Sequence, residues 1–402
     1  MLSSNLSSNK KTSTVLLIDN DGFSNYTCYF ARGLSKYLNV ILYGFSEESF
    51  QNTGAAKENG IKFHCIKKRL PKSYSAINGI IRVFILFFIL SSVLLKTKYD
   101  IVHVQDYLPT FFLFIPLLKL RRKQICWTLH DVEIFKFATG INGRLQKVFL
   151  KLVSQPSLMT GRVDKILVHA YSLKEQLIAR KVDRRKIYVV RLFDYDYLLE
   201  NTGAGEAVEY KGPKFGNGYI LFLGNIAPWK GISTLIDAAK IVSKKIGPKF
   251  ILIIAGQSYE GLKNIQYFEK LKNEDIKYVK MIDRFITDSE IPNLVGKSSF
   301  LVLPYNNLFR HSASGVIPLA YTFGKPVIVS NISSLVEYVE NGKTGLIFDV
   351  DDSNQLADLM IELIQNNSKC IDMGKRAHEK MLNEMSLDVC CKFINSVYSI
   401  RD

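Results

Sequence analysis

The segment RHSASGVIPLAYTFGKP, residues 310–326, follows an apolar run FLVLP directly. Ser312 or Ser314 is the residue type that caps a helix N-terminus. Pro318 is tolerated only near a first turn, and Gly324 with Pro326 beyond it forms a C-terminal stop. The spacing predicts a short helix over 315–323 that starts at the carboxyl edge of a strand, where open α/β sheets bind ligands. Amides at Ser314, Gly315 and Val316, beside Arg310 and His311, would make an anion pocket. The plainer alternative is an ordinary strand-to-helix connection with solvated cations. A second segment, GNIAPWKG at 224–231, lies between YILFL and the amphipathic ISTLIDAAKIV. Gly224 permits a tight turn and Lys230 falls near a helix N-terminus, an arrangement suited to a diphosphate. Its spacing matches neither the P-loop nor G-x-G-x-x-G.

The elements that must position these residues alternate along the chain. Short β-branched runs at 14–18, 40–43, 100–104, 124–129, 165–169 and 186–190 resume at 219–223, 250–255, 276–279, 300–303, 326–330 and 344–348, with helical patterns between them. Most lack polar alternation, as expected of strands covered on both faces, and their alternation with helices predicts parallel, doubly wound sheets. Twelve strands exceed one such sheet. The Gly-rich, aperiodic stretch 194–217 reads as a linker, which divides the chain into Rossmann-like domains at 14–193 and 218–385. A C-terminal helix at 386–402 is expected to pack back on the first domain.

The chain has 402 residues, 47% of them hydrophobic, and 53 Lys and Arg against 37 Asp and Glu for a net charge of +16. That composition excludes a disordered tail. The excess of cations favours an anionic partner, either phosphorylated substrates or an anionic membrane surface. The aromatic residues sit in apolar runs rather than among the cations, which argues against nucleic acid. Six scattered cysteines without a C-x-x-C pair exclude a disulfide framework and a spacing-defined zinc site. The polar opening MLSSNLSSNKK has no apolar signal region, so a cytoplasmic setting is expected. IIRVFILFFILSSVLL at 80–95 is apolar on nearly every face and flanked by Lys67, Lys68, Arg69 and Lys72 before and Lys96 and Lys98 after. It is too short for a convincing transmembrane span. It reads either as a buried core helix or as a segment dipping into an anionic membrane.

GNIAPWKG, MIDRFITDSEIPNLVGKSSFLVLPY and SGVIPLAYTFGKPVIVSNISSLVEYVENGKTGLIF together resemble the donor half of glycosyltransferase family 4. DIVHVQD and TLHDVEIF are similar to that family's acceptor domain, and the resemblance spans roughly 14–400. It implies a GT-B fold, two Rossmann-like domains facing across a cleft, a nucleotide-sugar donor, no metal or other cofactor, and transfer with retention. In the front-face mechanism usually proposed, the leaving phosphate helps deprotonate the acceptor hydroxyl, so the protein's main electrostatic task is to stabilise that phosphate. Lys230 matches the family's diphosphate lysine and Gly224 the glycine of the same loop. Asn225 stands where an arginine is usual, and Arg310 or Arg284 is the candidate substitute. The family's two donor-contacting glutamates, eight positions apart, align with His311 and Leu319. Glu337 matches a common family glutamate. His130 matches the histidine near the reacting centre, with Asp131 beside it, and Gly22 falls in the glycine-rich loop after the first strand. His103 reads as structural.

The function implied is a peripheral, cytoplasmic-face glycosyltransferase acting on a lipid-linked or polysaccharide acceptor. The competing reading, motivated by Asn225, His311 and Leu319, is a sugar-nucleotide-binding scaffold subunit without catalysis. A GT-B epimerase or phosphorylase ranks below both, because the acid/base pair or the Schiff-base lysine it needs is not located.

Overall fold

Runs such as VLLI and ILFL carry no polar residue to turn toward water, and each is buried along its whole length in an all-parallel sheet. The computed structural model describes residues 13–19, 24–66, 76–105, 109–132, 162–201, 218–258, 276–309 and 312–400. Among these the chain forms two compact units, Met1–His169 with Lys174–Val190 and Cys391–Asp402, and Ala170–Leu173 with Arg191–Cys390.

The first unit holds strands β1 (Thr14–Ile18), β2 (Asn39–Gly44), β3 (Ile61–Cys65), β4 (Ile101–Gln105), β5 (Gln124–Leu129), β6 (Lys165–Val168) and β7 (Ile187–Val189), in the order β3-β2-β1-β4-β5-β6-β7. The second holds β8 (Tyr219–Leu223), β9 (Leu252–Gly256), β10 (Val279–Asp283), β11 (Ser298–Leu303), β12 (Val327–Ser330) and β13 (Gly345–Phe348), in the order β10-β9-β8-β11-β12-β13. Each order reverses direction once, between β1 and β4 and between β8 and β11. Those are the switch points at which a crevice opens beyond the carboxyl ends of the strands.

Local chemistry sets the turns that lead to these edges. Asp19, fully buried after β1, accepts from Ser24 Oγ at 2.8 Å and Thr27 Oγ1 at 2.6 Å, which fixes the first turn of helix Ser24–Leu34. Asp352 caps helix Ser353–Gln365 through the Gln355 amide at 2.9 Å, and Asn366 caps Asn367–Lys380 through the Lys369 amide at 3.1 Å.

Two edge strands depart from the sequence reading. β3 has no counterpart there, because IKFHC alternates half-buried and exposed residues and carries Lys62 and His64, as an edge strand can. β10 lies three residues beyond the expected start for the same reason, since its VKMID is only half-buried. The start of the stretch read as a linker is also structured. Helix Asp196–Asn201 forms there, and the buried Asp194 carboxylate accepts the amides of Leu387 at 2.6 Å and Asp196 at 3.2 Å. The rest of that stretch lies outside the described residues.

The apolar run of the first unit lies in helix Ala76–Lys96. Leu86, Leu90, Val93 and Leu94 form a buried stripe at helical spacing, whereas Phe88 is 69% exposed on the opposite side. Among the described residues no helix is long and apolar enough to cross a membrane. In helix Leu387–Ser399, the residues from Cys391 onward cluster with the first unit, and Tyr398 Oη lies 2.5 Å from His103 Nδ1.

Candidate functional site

In the first unit the carboxyl ends of β4, β5 and β6 bring Gln105, His130 and His169 together, with Tyr26 from helix Ser24–Leu34 edge-on to His130 at 4.7 Å. His169 Nδ1 lies 2.9 Å from the Val190 carbonyl, so that nitrogen carries the proton and Nε2 is the acceptor. His130 Nδ1, 3.1 Å from His169 Nε2, therefore donates, which leaves His130 Nε2 as an acceptor 3.4 Å from the Gln105 amide oxygen. Two acceptors do not pair, and the buried Gln105 Nε2 has no partner. Turning that amide over satisfies both groups with one hydrogen bond. Burial, reinforced by His169, holds His130 well below the ordinary imidazole range, and burial brings His169 down to about 4. His130 is thus a neutral imidazole in a fixed tautomer. Asp131 follows it, half-buried.

In the second unit the corresponding edge carries a cation. Beyond β8 the chain turns through Gly224 (φ +134°), whose carbonyl a Cβ at Gly256 would meet at 1.9 Å, so both loops need a bare backbone there. Residues Pro228–Lys230 form a single 3-10 turn that ends at Gly231 (φ +60°). A Cβ at Gly231 would lie 1.8 Å from the Pro304 carbonyl, so only glycine lets the β8 loop lie against the end of β11. The Lys230 ammonium sits 3.7 Å from the Tyr305 ring centroid and 4.4 Å from that of Phe309. No carboxylate among the described residues pairs with it, and burial lowers its pKa to about 7. A positive group held at a switch point and left uncancelled is suited to an anionic ligand.

Two family models match the chain: Glycosyltransferase Family 4 over residues 20–192 and Glycosyl transferases group 1 over residues 209–380. The chain belongs to the family 4 glycosyltransferases. An uncharacterized 41.2 kDa protein in the cps region of Klebsiella pneumoniae is 24% identical over 68% of this chain and 72% of its own length. The O-antigen chain mannosyltransferase B of Escherichia coli is 25% identical over 51% of this chain and 57% of its own. Among solved structures, Anabaena HepE in complex with UDP and glucose superposes with a TM-score of 0.67 at 16% identity, over 96% of this chain and 99% of that one. The fold is GT-B.

Several sequence expectations meet different surroundings in this glycosyltransferase. Helix Val316–Thr322 forms within one residue of its expected ends, but Gly315 stands at its N-cap and neither serine caps it. Ser314 Oγ is engaged instead by Tyr305 Oη at 3.1 Å, and Ser312 Oγ by the Ala313 carbonyl at 3.2 Å. Asn225 is exposed beside Gly224. Arg284 does not supply the missing charge, because its guanidinium is bound to Glu290 at 2.5 and 2.9 Å. Glu337 accepts the amides of Tyr171 at 2.5 Å and Ser172 at 2.7 Å and lies 3.4 Å from Arg191, so its carboxylate anchors the first turn of helix Tyr171–Ala179. Leu319, aligned with one family glutamate, is buried. His103 is a core histidine between Tyr398 and Thr128, lowered to about 3 by burial. Gly22, Arg310 and His311 lie outside the described residues. The sequence reading missed His169, Gln105, Tyr305 and Phe309. His169 had a legible signal, since it follows its strand just as His130 follows β5.

Proposed function

We propose that the chain transfers a sugar, with retention and without a metal ion, from a nucleotide-sugar donor to a lipid-linked or polysaccharide acceptor at the cytoplasmic face of the membrane. The observation that carries the donor reading is the Lys230 ammonium at the switch point between β8 and β11, paired with no carboxylate among the described residues. A diphosphate there gains a desolvated charge-assisted contact as the glycosidic bond breaks and negative charge builds on the leaving group. UDP and glucose occupy the HepE structure, and an O-antigen mannosyltransferase stands among the relatives, which supports a nucleotide-sugar donor and a glycan acceptor. The neutral His130, with Nδ1 engaged by His169 and Nε2 by the Gln105 amide, is suited to order this strand-end cluster rather than to bind a phosphate.

Peripheral membrane attachment draws support from exposed side chains of the first unit. Phe88 at 69%, Leu113 at 67% and Leu120 at 82% are exposed in a region that also carries exposed Lys96, Lys98, Arg121 and Arg122. Apolar side chains beside cations are what an anionic lipid surface binds.

The test is transfer from UDP- and GDP-sugars to a lipid-linked saccharide, with the anomeric configuration of the product read by NMR. A product of retained configuration, lost in Lys230→Met, is expected. An inverted product contradicts the retention proposed, and donor binding without transfer to any acceptor favours the scaffold reading, to which the buried Leu319 lends support.

A further inference from the structure

We propose that Tyr305 and Phe309 are positioning residues of the donor site, holding the Lys230 ammonium on their ring faces and tying it, through the Tyr305 hydroxyl, to Ser314. The inference rests on the donor reading above. An ammonium near a phosphate site needs something to aim it, and a carboxylate would aim it while cancelling the charge the phosphate requires. Aromatic faces attract a cation through their quadrupole and leave its charge intact.

The backbone builds this arrangement deliberately. Asn306 sits between the two loops: its amide donates to the Trp229 carbonyl at 3.1 Å and its side-chain Nδ2 to the Pro228 carbonyl at 2.7 Å, clamping the turn that carries Lys230. The same Asn306 accepts from the Leu308 amide through Oδ1 at 3.0 Å and from the Phe309 amide through its carbonyl at 2.9 Å, forming the turn that presents Phe309. Tyr305 and Phe309 pack edge-to-face with centroids 4.5 Å apart, so each ring fixes the other. The Tyr305 hydroxyl then reaches Ser314 Oγ at 3.1 Å, ahead of helix Val316–Thr322. Lys230 and the loop before that helix are therefore connected through one side chain.

The experiment measures UDP affinity by calorimetry, and KM and kcat for the UDP-sugar, in Phe309→Leu, Phe309→Trp, Tyr305→Phe and Lys230→Met, with melting temperature as the control for folding. Phe309 is only half-buried, so its variants are expected to fold. Phe309→Leu should weaken UDP binding and raise KM by about 3- to 10-fold with kcat nearly unchanged, and Phe309→Trp should restore both. Tyr305→Phe keeps the ring and loses the Ser314 contact, so KM should rise by roughly 2- to 5-fold. If Lys230→Met weakens binding while Phe309→Leu binds as the wild type does, the aromatic positioning is wrong and the donor site stands. If Lys230→Met itself binds as the wild type does, both fall.

Discussion

The two strand-end clusters solve opposite problems with the same tool, burial. In the first unit, burial removes the charge from His130 and His169, and a chain of hydrogen bonds from Gln105 to the Val190 carbonyl then specifies which nitrogen bears each proton. In the second, burial weakens the hold of Lys230 on its proton, yet ring faces rather than hydrogen bonds keep it in place. One cluster fixes direction at no charge, and the other preserves charge with little direction of its own. Breaking the first should therefore cost stability, whereas breaking the second should cost binding.

His169→Ala sharpens that contrast most. It removes the His169 contacts of the Val190 carbonyl and the His130 Nδ1 proton and leaves a cavity in a buried site, so stability should fall by about 3 kcal/mol in urea unfolding. Lys230→Met should leave stability unchanged or slightly raised, because it removes a desolvated charge without opening a cavity. Equal losses in the two variants would erase the distinction between the clusters.

The pH dependence of stability follows with a definite sign. His103 and His169 titrate near 3 and 4 in the folded chain, and His130 is also lowered by burial. The unfolded chain takes up those protons near 6.5, so between about pH 6.5 and 4 it binds more protons than the folded one and stability falls as pH falls. Urea midpoints across that range should show this decline, and His169→Gln should flatten it. A midpoint that rises on acidification would contradict neutral burial of the histidines.

The smallest expected effect concerns the surface. Phe88→Ser combined with Leu113→Ser should reduce binding to anionic liposomes by roughly tenfold with little change in melting temperature, since both side chains are exposed. Unchanged liposome binding would remove the membrane patch from the account.

The core strands and the turn after β8 were legible because buried parallel strands read as unbroken apolar runs, and because Gly224 and Lys230 mark that turn by their chemistry. The edge strand β3 was not, and β10 was placed three residues early, since exposed residues such as Lys62 and Asp283 blur an apolar run. The aromatic site was hidden for a different reason. A tyrosine just after a strand, such as Tyr305, looks like core, and only the fold shows that it faces a lysine 75 positions earlier. Ser314 misled because a serine before a helix normally caps it, and here a tyrosine hydroxyl engages it instead.

The most direct test of the central claim, that Lys230 is the uncancelled cation of the donor site, is calorimetry of a UDP-sugar from pH 6 to 9 in the wild type, Lys230→Arg and Lys230→Met. Lys230 titrates at about 7 in the free protein, and a bound diphosphate favours its protonated form. The account therefore predicts that wild-type affinity weakens by up to about tenfold per pH unit above 7 with proton uptake on binding. Lys230→Arg should be flat with pH, and Lys230→Met weak throughout. Equal, pH-independent affinity in all three proteins would contradict it.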